Sequence, residues 1–142
     1  MTLPPPVVLN EDANDHLAQA RRNYRLYLQL RAGGEFTEWA LTVLFYTAVH
    51  LVQAYAAQHG PWVPANHGER AEYIRERLGP VFHDYRDLQD RSEDVRYDLW
   101  TISEGELAEW HDRQFAHIAA YLGASRRGIR LVEAPGSMPD RP

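Results

Sequence analysis

From Asp12 to Arg31 the apolar positions Leu17, Ala20, Tyr24, Tyr27 and Leu28 recur at the three- and four-residue spacing of one helix face. Asn10 precedes them as a cap, Glu11, Asp12 and Asp15 fill the favourable first turn, and Gly33-Gly34 ends the segment. From about Thr37 to Gln58 the chain is apolar almost all round (Trp39, Leu41, Val43, Leu44, Phe45, Tyr46, Val49, Leu51, Val52, Tyr55), which predicts a central buried helix. A loop with Pro61, Trp62 and Pro64 follows. Asn66 with Glu69 three residues later makes a capping box, so the third helix begins at His67. After the Gly79-Pro80 interruption, Val81, Tyr85, Leu88, Ser92 and Val95 draw a core-facing stripe broken only by the serine. Ser103 and Glu106 form a second capping box ahead of Leu107, Trp110, Phe115, Ile118, Tyr121 and Leu122, and Gly123 is expected to stop that last long helix.

The pattern predicts an all-α bundle of four to five helices in one domain. Residues 1–9, with three consecutive prolines, read as an extended arm, and 10–123 form the bundle. Residues 124–142 read as a flexible tail containing a short β-like stretch at Ile129–Val132. The 142 residues leave no room for a second full domain. No uninterrupted apolar run approaches the ~20 residues of a bilayer span, and the Met-Thr-Leu-Pro-Pro-Pro start lacks the basic and apolar parts of a secretory signal. A cytoplasmic protein without membrane contact is expected.

Composition narrows the chemistry. With no cysteine, disulfides, thiolate zinc sites and thiol nucleophiles drop out together. All 15 basic residues are arginine; this removes lysine Schiff-base and P-loop chemistry and suits planar recognition of carboxylate or phosphate, although GC-rich codon usage yields the same bias. A net charge of -5 argues against a general phosphate-binding surface and leaves room only for a local basic cleft. His111 and His117, six apart, lie about 240° round a helix and point to different faces. With no Glu-x-x-His tetrapeptide present either, no metal site and no cofactor is expected. A Gly-rich phosphate loop and a serine-hydrolase elbow are also missing, which disfavours a cofactor-binding helical enzyme.

His50 follows Tyr46 by one turn on the most apolar helix, so the two side chains share a face and can serve a common ligand; a satisfied core histidine fits the same position. His67, in the first turn of its helix beside free backbone N–H groups, suits phosphate recognition or proton transfer, or is an exposed loop histidine. Arg96 either reaches over Ser92 into the same cleft or pairs on the surface with Glu93 or Asp98.

Three stretches carry a family resemblance: Phe45-Tyr46-Thr-Ala-Val-His50, Asn66-His67-Gly-Glu-Arg70, and Leu88-x3-Ser92-x3-Arg96-Tyr97. In order and spacing they resemble small prokaryotic proteins of the HEPN superfamily, over roughly residues 36–122. The resemblance implies an up-and-down helical bundle and a homodimer, with RNA or a nucleotide as ligand. It also implies a toxin–antitoxin or defence setting, with an antitoxin or nucleotidyltransferase-like partner. It implies a site in which His67, Arg96 and His50 act catalytically while Tyr46, Arg70 and Tyr97 bind substrate. Active members are metal-independent endoribonucleases that pair an Arg with a His across four to six intervening residues. Here the only such spacing is Arg77-x5-His83, which spans the Gly79-Pro80 break, and about two such pairs are expected by chance. Where relatives keep an arginine this chain has Ser92, and Arg96 stands where they keep an acid before the tyrosine.

Two functions are therefore expected to compete. One is a HEPN-like RNA-associated protein of a defence or toxin–antitoxin type, a metal-independent endoribonuclease if it is active. The other is a noncatalytic dimeric module that holds a nucleotide or a partner protein, with Trp62 and Trp100 as contact residues if exposed and as packing residues otherwise.

Overall fold

The computed structural model describes residues 9–98 and 101–132. Helix α1 (Glu11–Gly33) starts where Asn10 turns its side-chain carbonyl back to accept the Ala13 N–H at 2.8 Å. It ends at Gly34, whose φ of 72° is left-handed and whose N–H reaches the Leu30 carbonyl. Helix α2 (Thr37–His59) is the centre of the molecule, with Leu41, Leu44, Phe45, Ala48, Leu51 and Val52 all buried. Asn10 ties the two helices together: its amide donates to the Ala57 carbonyl at 2.7 Å, and its N–H donates to the Gln58 side chain at 3.0 Å. The start of α1 thus meets the end of α2, and the pair run antiparallel.

Asn66 caps helix α3 (His67–Arg77) by accepting the Glu69 N–H at 2.9 Å, while Glu69 reaches back to the Ala65 N–H. Gly79–Val81 forms a single 3-10 turn that leads into helix α4 (Phe82–Tyr97). Every member of the predicted stripe from Val81 to Val95 is buried, and Ser92 tolerates burial because its hydroxyl donates to the Gln89 carbonyl at 2.8 Å. Ser103 caps helix α5 (Glu104–Trp110) by accepting the Glu106 N–H. Glu106 does not close the capping box; its carboxylate takes a two-pronged ion pair from Arg91 of α4 and the Trp110 indole N–H.

The last helix departs from regularity. Between α5 and helix α6 (Ala116–Ala124), residues His111–Phe115 form a π-turn. The wider turn lets both His111 and Phe115 stack against Tyr24, with the His111 ring also flat on Tyr27 at 5.3 Å. His111 faces inward and His117 outward, where it meets Asp84.

Two expectations need correction. The tail expected from Ala124 is held against the bundle as far as Val132. Ile129 and Leu131 are buried, Arg21 donates to the Leu131 and Arg130 carbonyls, and Ile129 N–H bonds the Leu122 carbonyl. Two buried apolar side chains and this backbone pairing outweigh the local turn composition. The stretch 129–132 is irregular rather than β, and the expected tail beyond it, 133–142, lies outside the described residues, as do residues 1–8 of the expected arm. Second, α2 by length and composition is long and apolar enough to cross a membrane, the polar breaks in it being too few to lower its hydropathy. Most of it is buried inside the bundle, as in a core helix. Among the described residues the fold is all-α, five helical rods with no strand.

Candidate functional site

One face of α2 and the first turn of α3 bring the cationic side chains together. Arg70 is buried, at 7% exposure, and its guanidinium donates from Nε to the Gln53 Oε1 at 2.9 Å and from Nη1 to the His67 Nδ1 at 3.0 Å. Gln53 is satisfied at both ends, since its amide donates to the Pro64 carbonyl. Among the described residues no carboxylate lies within ion-pair distance of Arg70. A buried guanidinium without a counter-charge is costly, and the usual remedy is an anion.

Guanidinium nitrogens only donate, so the Nδ1 of His67 must be the bare nitrogen and the neutral ring carries its proton on Nε2. Partial burial holds the His67 pKa below its ordinary value; Arg70 and Arg96 add to the drop and Glu93 opposes it. The ring also lies against Phe45 at 5.8 Å.

Arg96 occupies the other side. It folds back over Ser92, donating from Nε to the Ser92 carbonyl at 3.2 Å, and from Nη1 to the Tyr46 hydroxyl at 3.0 Å. Its guanidinium stacks over the rings of Tyr46 at 5.6 Å and Tyr97 at 5.1 Å. The ion pair with Glu93 or Asp98 does not form among the described residues; the Tyr46 hydroxyl takes the guanidinium inward instead. Tyr97 itself is 74% exposed at the rim.

His50 faces α1 rather than an empty cleft. Its Nδ1 lies 3.1 Å from the Nδ1 of His16, with the rings stacked at 5.3 Å. One ring must donate there and the other accept, so the donor ring keeps a bare Nε2. Both histidines are held below their ordinary pKa, first by burial; Arg70 lowers each further and His16 lowers His50, while Asp12 and Asp15 partly restore His16. Beneath the cluster the buried Tyr85 hydroxyl has no hydrogen-bond partner of normal geometry among the described residues. Burial drives its pKa far up, against a smaller downward pull from Arg70.

All six sequence-predicted residues therefore gather around one region, as two sub-clusters: Arg70 with His67 and His50 nearby, and Arg96 with Tyr46 and Tyr97. His16, Gln53 and Tyr85 belong to the same region and were not singled out by the sequence as site residues. His16 carries a weak signal, falling on α1 where an antiparallel hairpin places it opposite His50. Trp62, for which packing was the competing expectation, is 52% exposed; Trp100 lies outside the described residues. Among the described residues no three His, Asp or Glu side chains gather as metal ligands would. The region can bind an anion, donate hydrogen bonds to it and exchange a proton at His16 or His50.

In class, the molecule is an all-α bundle with a buried guanidinium, Arg70, that no carboxylate pairs with among the described residues. No protein family, curated protein or solved structure was found to match the chain.

Proposed function

We propose that the protein is an RNA-associated helical bundle of HEPN-like type that holds a phosphodiester between His67, Arg70 and Arg96. The observation that carries this reading is Arg70, a buried guanidinium whose hydrogen-bond partners Gln53 and His67 are neutral and which no carboxylate neutralises among the described residues. A phosphodiester supplies the single negative charge and the acceptor oxygens that the remaining N–H groups of Arg70 and Arg96 and the Nε2–H of His67 require. Tyr97, exposed and stacked on Arg96, offers a flat surface for the attached nucleoside. The motif resemblance favours RNA over other phosphate carriers, and with it come a homodimer and an antitoxin or nucleotidyltransferase-like partner as further parts of the proposal. Sedimentation of the purified protein checks the dimer.

The tautomer at His67 favours binding over cleavage by that residue. A base that takes the ribose 2′-hydroxyl proton needs a bare nitrogen facing the ligand, and the bare nitrogen of His67 is occupied by Arg70. A labelled single-stranded RNA followed by fluorescence anisotropy tests the reading: Arg96→Gln is expected to weaken binding about tenfold, the loss of one charge-assisted hydrogen bond. Equal affinity of the variant and wild type at low salt removes this site.

A second reading, metal-independent endoribonuclease, draws support from the His16–His50 pair, one ring of which has a bare Nε2, with Arg70 close enough to lower the pKa of both rings. It requires products with 2′,3′-cyclic phosphate ends, formed in the presence of chelator and lost in His50→Ala. Intact RNA after prolonged incubation leaves the binding module alone.

A further inference from the structure

The loop between α2 and α3 and the far end of α3 enclose a small cleft that plays no part in holding the phosphate. Its walls include Trp62, Tyr73, Arg77 and Pro61, and its volume is about 70 Å³. That is room for several waters or the edge of a planar ring, and not for a whole ring. Trp62 is half exposed, with its ring centroid 6.1 Å from that of Tyr73, and the Arg77 guanidinium lies 6.0 Å over the Tyr73 ring. The indole is not on a loose loop: Pro61 precedes it, and the Pro64 carbonyl is fixed by the same Gln53 amide that holds Arg70.

The position along α3 matters. Tyr73 follows Arg70 by three residues and Arg77 by seven, so the cleft begins about 4.5 Å and ends about 10 Å further along the helix axis. A phosphate and its own base are separated on that scale. We infer that the Trp62 cleft is a stacking subsite for an unpaired nucleobase of single-stranded RNA, next to the phosphate held at Arg70; the inference rests on that reading of Arg70. Trp62 supplies the stacking face, the cleft admits one edge of the base, and Arg77 donates to the acceptor atoms on that edge. A base in a duplex is stacked on both sides and cannot enter, so the site selects single strands.

The test compares a short single-stranded RNA with an abasic backbone of equal length, using anisotropy on the intact protein. Wild type is expected to bind the RNA about tenfold more tightly than the abasic strand, within the range for one base–aromatic stack. Trp62→Ala is expected to lose that preference while keeping its affinity for the abasic strand, and Trp62→Phe to recover most of it; circular dichroism confirms that each variant is folded. If Trp62→Ala still prefers RNA, or wild type binds both strands equally, the base subsite is overturned while the phosphate site stands. If a Pro-rich or aromatic peptide competes at Trp62 and RNA does not, the cleft is a protein contact and the inference is likewise overturned. If neither strand binds at low salt, the Arg70 reading falls and takes the subsite with it.

Discussion

Arg70 places the sharpest demand on its surroundings. A guanidinium at 7% exposure has two neutral neighbours, Gln53 and His67, and beside it are three histidines that burial already biases toward neutrality. These histidines bind protons more weakly folded than unfolded. Below the ordinary histidine pKa of 6.5 the unfolded chain takes up more protons, so stability falls with pH from that point down to the lowered folded values. The paired carboxylates Glu106 and Asp112 lose their contribution in the same direction only in the acid range, at and below their ordinary 4.5 and 3.8. Thermal unfolding is therefore expected at lower temperature at pH 5.5 than at pH 7.5. The double variant His16→Gln/His50→Gln should flatten that difference, and an unchanged slope would show that the pair does not titrate in this window. Tyr46 and His50 were legible on one face because their four-residue spacing on a helix fixes it, whereas for His67 and Arg96 the sequence left a surface position open and only the motif resemblance pointed to them. Gln53 and Tyr85 were not legible, because a glutamine and a tyrosine on buried faces look like packing until Arg70 is placed beside them.

At the level of elements, caps and spacing carried most of the fold into view. Asn10, Asn66 and Ser103 each stand at a helix start and accept the N–H three residues on, as the local sequence requires. Asn10 has the additional task of joining α1 to the end of α2, so Asn10→Ala is expected to cost about 1–2 kcal/mol in urea unfolding, toward the upper end for a cap. The π-turn at His111–Phe115 was not legible, since it answers to the Tyr24 and Tyr27 rings on a helix some ninety residues away in sequence. The packing of the segment after α6 was not legible for a related reason: it depends on Arg21 of α1 and on the Leu122 carbonyl, which the local sequence does not show. A Cβ on Gly128 would come within 2.4 Å of the Gly123 carbonyl oxygen, so the glycine marks a close backbone crossing. Gly128→Ala is expected to release Ile129 and Leu131 from the bundle, seen as faster hydrogen exchange at the Ile129 amide and a lower melting temperature; an unperturbed exchange rate would contradict the crossing.

For the molecule as a whole, a net charge of -5 surrounds a small cationic interior. An acidic net charge disfavours a general phosphate-binding surface, so the proposed RNA binding is expected to release few counterions. With one phosphodiester held by Arg70 and Arg96, the affinity for single-stranded RNA should fall with a log–log salt slope of about -0.7; a slope several times steeper would mean that further arginines elsewhere on the molecule do the binding. The bundle class was legible because α2 is apolar on every side and must be surrounded. The convergence of two sub-clusters was only partly so, because it depends on the crossing of α2 with α3 and α4. Gln53 stands at that crossing with its two ends committed, the oxygen to Arg70 and the nitrogen to the Pro64 carbonyl. One rigid amide is thus the peg on which both the guanidinium and the tryptophan loop hang. A tug on either end is transmitted to the other through a single planar group, and the two halves of the region share one mechanical fate.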